Sequence, residues 1–270
     1  MSVHEAALAT FYRRGFVHLK ADAPLTAWAA AARPVAERLL ADPGHRRDWL
    51  RCGGTWFAGV NLFPNAADGS VAAEGVPALA GEAVGFIARL GFDTVAWDAA
   101  QISVCLPGYP QPWEAESEAN FRYRRDRDAA HVDGLLRDGA RRRSVGEAHG
   151  FLLGIPLVET PPGAAPFVIW EGSHEVMRAA FAARLSGIAA CNWAKEDVTE
   201  AYVAARKQAF AQCPRVEVHA RPGEAYVVHR LTLHGVAPWR EEAFDGARII
   251  AYFRPDPRPG DDLGWWLAMP

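Results

Sequence analysis

The feature that most constrains this chain is a series of six short apolar runs in its second half. QISVCL (101–106), GFLLGIPLV (150–158), PFVIW (166–170), VEVHA (216–220), AYVVH (225–229) and RIIAYF (248–253) are apolar or β-branched, with Pro, Gly and charged residues between them. Runs of this length between turn formers read as strands, and a succession of them as a sandwich or barrel. Two stretches among them keep helical spacing instead. One follows GSHEVMRAAFAARL, with Ser173 as its cap and Glu175 in its first turn, and the other is EDVTEAYVAARKQAF, 196–210.

The first third has a different character. Residues 3–14, 25–40 and 76–90 predict helices, the second kinked or broken at Pro34, while GFVHLKA and GTWFAGVNLF (54–63) predict strands. Helices followed by strands fit a mainly β protein, with one jelly-roll-like core in a jacket of α-helices. The expected division is a single domain over 1–270, with a helical jacket over about 1–97 and a β core over about 98–256.

Composition removes several function classes. Half of the residues are hydrophobic and 23% are charged, as in a globular chain. The net charge of -3 and pI near 6.3 give no electrostatic reason to expect nucleic acid or an anionic membrane as partner. Cys52, Cys105, Cys191 and Cys213 form no CxxC pair, which argues against a zinc knuckle or redox motif. The N-terminus does not read as a signal peptide, and no apolar run reaches membrane-spanning length. A cytoplasmic protein is expected.

The sharpest chemical signal is His131-Val132-Asp133-Gly134. On an extended strand, residues two apart share a face, so this imidazole and carboxylate can reach one ion. Among nine histidines such a triplet is weak by itself. Its context strengthens it: PGEAYVVHRLTLHG carries His229 and His234 at the end of a strand, and Arg248 opens the next run. Two histidines and one carboxylate on one face of an ion suit iron(II) and leave three coordination positions open. The Arg248 fork matches a carboxylate. His229 and His234 are five positions apart, so a regular strand presents only one of them to the ion.

The segment 107–130, between QISVCL and His131, is long for a compact domain and is either a lid or a solvated excursion. Its Arg122, Arg124, Arg125 and Arg127 alternate with Asp126 and Asp128, which reads as a mixed-charge solvated loop rather than an anion site. Trp56, Trp113 and Trp170 are assigned no role.

The order HVDG, GFLLGIPLVE, PFVIWEGSH, PGEAYVVHRLTLHG, RIIAYF resembles the phytanoyl-CoA dioxygenase-like family of iron(II)- and 2-oxoglutarate-dependent oxygenases, over residues of about 98–254. The resemblance implies a double-stranded β-helix (the jelly-roll variant) with iron(II) on His131, Asp133 and His234. It implies Arg248 as the clamp on the far carboxylate of 2-oxoglutarate, with Gln101 beside the cosubstrate. It also implies a small-molecule substrate and O2, with release of succinate and CO2. Asp133, where a small residue would leave room for halide, points to hydroxylation or desaturation. The gap from His234 to Arg248 is long, because EEAFDGA intervenes, and Arg254 is the rival clamp. A cupin-like iron or manganese enzyme without 2-oxoglutarate is the alternative reading, and a non-catalytic small-molecule-binding barrel is the third.

Overall fold

A computed structural model of the chain describes residues 3–268, so both ends of the expected 1–270 domain lie just outside the described residues. Its helices are α1 (Val3–Arg14), α2 (Ala23–Ala41), α3 (Pro43–Trp49), α4 (Glu82–Arg89), α5 (Glu118–Asp126), α6 (Ser173–Leu185), α7 (Thr199–Gln212) and α8 (Gly264–Leu267). Its strands are β1 (Phe16–Leu19), β2 (Leu50–Arg51), β3 (Trp56–Phe57), β4 (Gln101–Cys105), β5 (Leu135–Arg137), β6 (Arg143–Val145), β7 (Phe151–Pro156), β8 (Phe167–Trp170), β9 (Arg215–Val218), β10 (Ala225–His229), β11 (His234–Val236) and β12 (Arg248–Phe253).

The strands form an antiparallel seven-stranded sheet, β1-β10-β7-β12-β4-β3-β2, a three-stranded sheet, β11-β8-β9, and the β5-β6 hairpin. Strand alternation sorts the core into layers. On one face of the large sheet, Val17, Leu153, Val227, Ala251 and Phe253 pack with Phe11 of α1, Trp28 of α2 and Phe86 of α4. Full burial of Phe11 or Phe86 contributes roughly 1.5–3 kcal/mol. The other face, through Leu152, Tyr226, Val228, Ile250 and Tyr252, clusters with Phe167, Ile169 and Val218 of the small sheet. Beyond the small sheet, Val168 and Trp170 pack with Met177 and Phe181 of α6 and with Tyr202 and Ala205 of α7. The order is helices, sheet, sheet, helices. Among the described residues, no helix is long and apolar enough to cross a membrane.

Four local expectations need correction. Pro34 does not break α2, which is continuous through it. Pro34 removes the hydrogen bond to the Ala30 carbonyl, and both residues lie on the exposed side, where water can satisfy that group. The strand expected over 54–63 shrinks to Trp56–Phe57. Gly59 has φ 44°, and a Cβ there would lie 2.4 Å from the Ile102 carbonyl oxygen, so the chain turns where it crosses β4. The helix expected over 76–90 starts only at Glu82, after Gly81 at φ 104°. Its first amide donates to Asp22 Oδ2 at 2.7 Å, while Asp22 Oδ1 accepts from Leu25 N at 2.8 Å. One carboxylate therefore starts both α2 and α4. Ser173 is not the cap of α6, because Gly172 occupies that position in the left-handed region. The Ser173 hydroxyl instead accepts from the Leu233 amide at 2.8 Å, tying α6 to the approach to β11.

Candidate metal centre

The segment carrying HVDG is held against β11 by backbone. His131 N donates to the His234 carbonyl at 2.8 Å and His234 N donates to the His131 carbonyl at 3.0 Å. A pair exchanging both bonds projects its side chains to the same face. Two glycines permit the close approach. A Cβ on Gly235 would lie 2.1 Å from the Asp128 carbonyl oxygen, and one on Gly134 would lie 2.1 Å from that of Glu147. Asp128 is itself fixed by a two-pronged contact with Arg215, at 2.7 and 2.9 Å.

The side chains of His131, Asp133 and His234 each present one donor atom, and these lie within 4.8 Å of one another. His131 Nε2 is 3.2 Å from Asp133 Oδ1, and His234 Nε2 is 3.4 Å from Asp133 Oδ2. Each imidazole uses its other nitrogen on a carbonyl: His131 Nδ1 on Ala129 at 3.0 Å and His234 Nδ1 on Thr232 at 2.9 Å. A carbonyl only accepts, so Nδ1 carries a proton in each ring, and Nε2 is the nitrogen each ring presents to the carboxylate and to an ion. Asp133 Oδ2 is buried without a hydrogen-bond partner. Burial alone would raise the Asp133 carboxyl. His234, Arg254 and His131 around it outweigh burial and hold it well below the usual carboxylate range. One carboxylate oxygen and two imidazole Nε2 atoms, converging within 4.8 Å, fit a divalent cation.

His229, the other candidate at the end of β10, is not part of this group. A turn separates it from β11, and its ring packs against Phe11 and His174, with centroids 5.9 and 5.0 Å away. Its Nδ1 accepts from Leu231 N at 3.1 Å.

The two candidate clamps occupy different surroundings. Arg254 lies just past β12, with its amide on Asp98 at 2.9 Å and its guanidinium 3.6 Å from Asp133 Oδ1. It already has a carboxylate partner. Arg248 is buried, donates to the Tyr252 hydroxyl at 3.0 Å and leaves Nη1 without a partner. Among the described residues it forms no ion pair. A small cavity of about 30 Å³ beside it is lined by Tyr226, Ile250 and Pro156 and by none of the three donors. Phe167 spans the interval, with its ring 5.5 Å from that of His234 and 5.9 Å from that of Tyr252. Gln101, on β4, pairs in register with Tyr252 of β12, and its side-chain amide donates to the Ala58 carbonyl at 2.7 Å.

Of the three donors, His131 alone lines a larger cavity. The side chains of Asp133 and His234 are 11% and 6% exposed, whereas that of His131 is 52% exposed and lines a cavity of about 320 Å³. Segment 107–130 forms part of the wall and contains α5. There Arg124 pairs with Glu116 at 2.9 Å, while Arg122 and Arg125 pair with neighbouring acids at the surface. The same cavity is also lined by Arg137, Arg143, Tyr202 and Arg206, none of which stood out in the sequence. They come from the β5-β6 hairpin and α7, and no local spacing connects them. Asp128, expected in a solvated run, is 4% exposed because Arg215 reaches it.

No protein-family model matches the chain, and no curated protein matches it in sequence. Among solved structures, it is similar to AviO1 from Streptomyces viridochromogenes Tue57, with TM-score 0.50, 18% identity, and coverage of 96% of this chain and 97% of that one. EvdMO1 gives TM-score 0.50 and 16% identity over 95% of this chain and 50% of that one. SnoK, a non-heme alpha ketoglutarate dependent carbocyclase from nogalamycin biosynthesis, gives TM-score 0.46 and 17% identity over 98% of this chain and 89% of that one. At these identities, the likeness to AviO1 and EvdMO1 is one of fold.

Proposed function

We propose that this protein is an iron(II)- and 2-oxoglutarate-dependent oxygenase acting on a small molecule. The observation that carries the reading is the convergence of two imidazoles, each with Nδ1–H fixed on a carbonyl, and one buried carboxylate with an unpartnered oxygen. His131, Asp133 and His234 would hold the iron. Bound iron(II), with 2-oxoglutarate and O2, supplies the oxidising chemistry: a C–H bond of the substrate is hydroxylated or desaturated while the cosubstrate leaves as succinate and CO2.

The other residues bind and orient. Arg248 is a buried cation facing tyrosine and cysteine, a costly arrangement that a carboxylate from the cosubstrate would complete. Arg254 steadies Asp133 through its Oδ1. Gln101 stands beside Tyr252 on the cosubstrate side. Two facing antiparallel sheets support the double-stranded β-helix reading of the core and a single domain. Phytanoyl-CoA dioxygenase-like motifs support the family, through HVDG, the distal His234 and the Arg248 strand.

The test is anaerobic titration of iron(II) with 2-oxoglutarate. A weak visible charge-transfer band and O2-dependent succinate are expected; absence of both overturns the assignment. One observation favours a second reading. The cavity at Arg248 has room for about two waters and does not include the triad, so seating 2-oxoglutarate requires side chains near Phe167 to shift. A cupin-like iron or manganese enzyme needs no such shift, and it would bind metal yet release no succinate.

A further inference from the structure

The cavity on the open side of His131 carries more positive charge than its own acids neutralise. Of its acidic lining residues, Glu116 is engaged by Arg124 at 2.9 and 3.2 Å, and Asp128 by Arg215 at 2.7 and 2.9 Å. Arg137, Arg143 and Arg206 line the same cavity and have no ion pair among the described residues. In a chain with net charge -3, three such cations at one mouth form a local excess rather than a general property.

Aromatic rings fix the placement of Arg143 and Arg206. Arg143 lies over Tyr202 at 4.9 Å, and Arg206 over Tyr202 at 5.3 Å and Tyr123 at 4.8 Å. Tyr202 is 2% exposed, so it is a rigid platform. A guanidinium stacked by its face keeps its edge N–H groups free, and that edge suits an oxyanion. The two cations sharing one ring also repel each other. Partial burial, then the like charges of Arg137 and Arg206, hold Arg143 below its ordinary value. A bound anion would relieve both effects.

We propose that the substrate carries an oxyanion, a carboxylate or a phosphoryl group, held by Arg143 and Arg206 with Arg137 at the rim, while the remainder lies toward His131. The proposal rests on the oxygenase reading only in taking the triad as the reactive centre. It concerns the cavity wall and not the Arg248 side, where the cosubstrate is assigned.

The test is calorimetric titration of the full chain, without added metal, with benzoate, phenyl phosphate and benzamide. At least one anion binds about tenfold more tightly than the amide, and the tighter anion identifies the group. Arg143→Gln and Arg206→Gln each lower that affinity about tenfold, and Arg143→Lys, which keeps the charge but not the stacked fork, recovers only part of it. The same variants keep the iron(II)–2-oxoglutarate band of the parent. Equal binding of amide and anions, no anion binding at millimolar concentration, unchanged affinity in both Gln variants, or loss of the band in them overturns the proposal. A parent without the band but with anion selectivity would sink the oxygenase reading and leave this site standing.

Discussion

His131 and His234 exchange both of their backbone hydrogen bonds, at 2.8 and 3.0 Å. The separation of the two imidazoles is thereby set by main chain, and Asp133 enters from the turn that follows. The arrangement is preorganised: no ligand has to be drawn in from a flexible side chain, and both rings are already oriented by carbonyls.

Replacing Asp133 by Ala should lower iron(II) affinity by more than the roughly 10–100-fold typical of an outer-sphere change. His229→Ala should leave iron(II) affinity unchanged while lowering stability, because that ring is buried against Phe11 and His174. Competition with a chromogenic chelator and urea unfolding measure the two effects separately.

The two arginines separate by readout. Arg248→Met should weaken 2-oxoglutarate by about 2–5 kcal/mol with iron(II) affinity retained, since a buried charge loses its assigned partner. Arg254→Met should do the reverse, weakening iron(II) about tenfold through the loosened Asp133. Titrating metal and cosubstrate independently distinguishes them.

Gly235→Ala should abolish iron(II) binding in a chain that retains its secondary structure. The added methyl would lie 2.1 Å from a backbone oxygen at Asp128, so segment 128–131 has to move away from β11. Overpacking of this kind costs about 1–3 kcal/mol. Circular dichroism with metal titration reports both quantities.

Stability should fall in mild acid. Burial holds His174 below the ordinary histidine value of 6.5 and His229 well below it. The unfolded chain takes up these protons as pH drops through 6.5, while the folded chain resists, so stability is present above that pH and lost beneath it. The loss is at most about 1.4 kcal/mol per pH unit for each imidazole. His229→Gln should flatten the dependence of the urea midpoint between pH 7.5 and 5.5, and an unchanged slope would assign it to other groups.

The six apolar runs are legible as strands because the central strands β7, β10 and β12 are buried on both faces, which leaves continuous apolar segments between turn formers. His131 and Asp133 are legible as a pair because strand geometry relates residues two apart, although here a single bridge and a turn hold them rather than a full strand. The link from that pair to His234 is tertiary and enters only through motif order. Arg137, Arg143 and Arg206 are illegible for the same reason, since a hairpin and a distant helix bring them together. GTWFAGVNLF has strand composition, but the crossing at Gly59 overrides it.

The shared carboxylate at Asp22 fastens α2 and α4 at a single point behind the large sheet. Neither helix has an independent start, so local opening of one should release the other. Their amides should exchange with deuterium as one cooperative unit, and Asp22→Ala should accelerate both together while exchange in β10 and β12 keeps its parental rate.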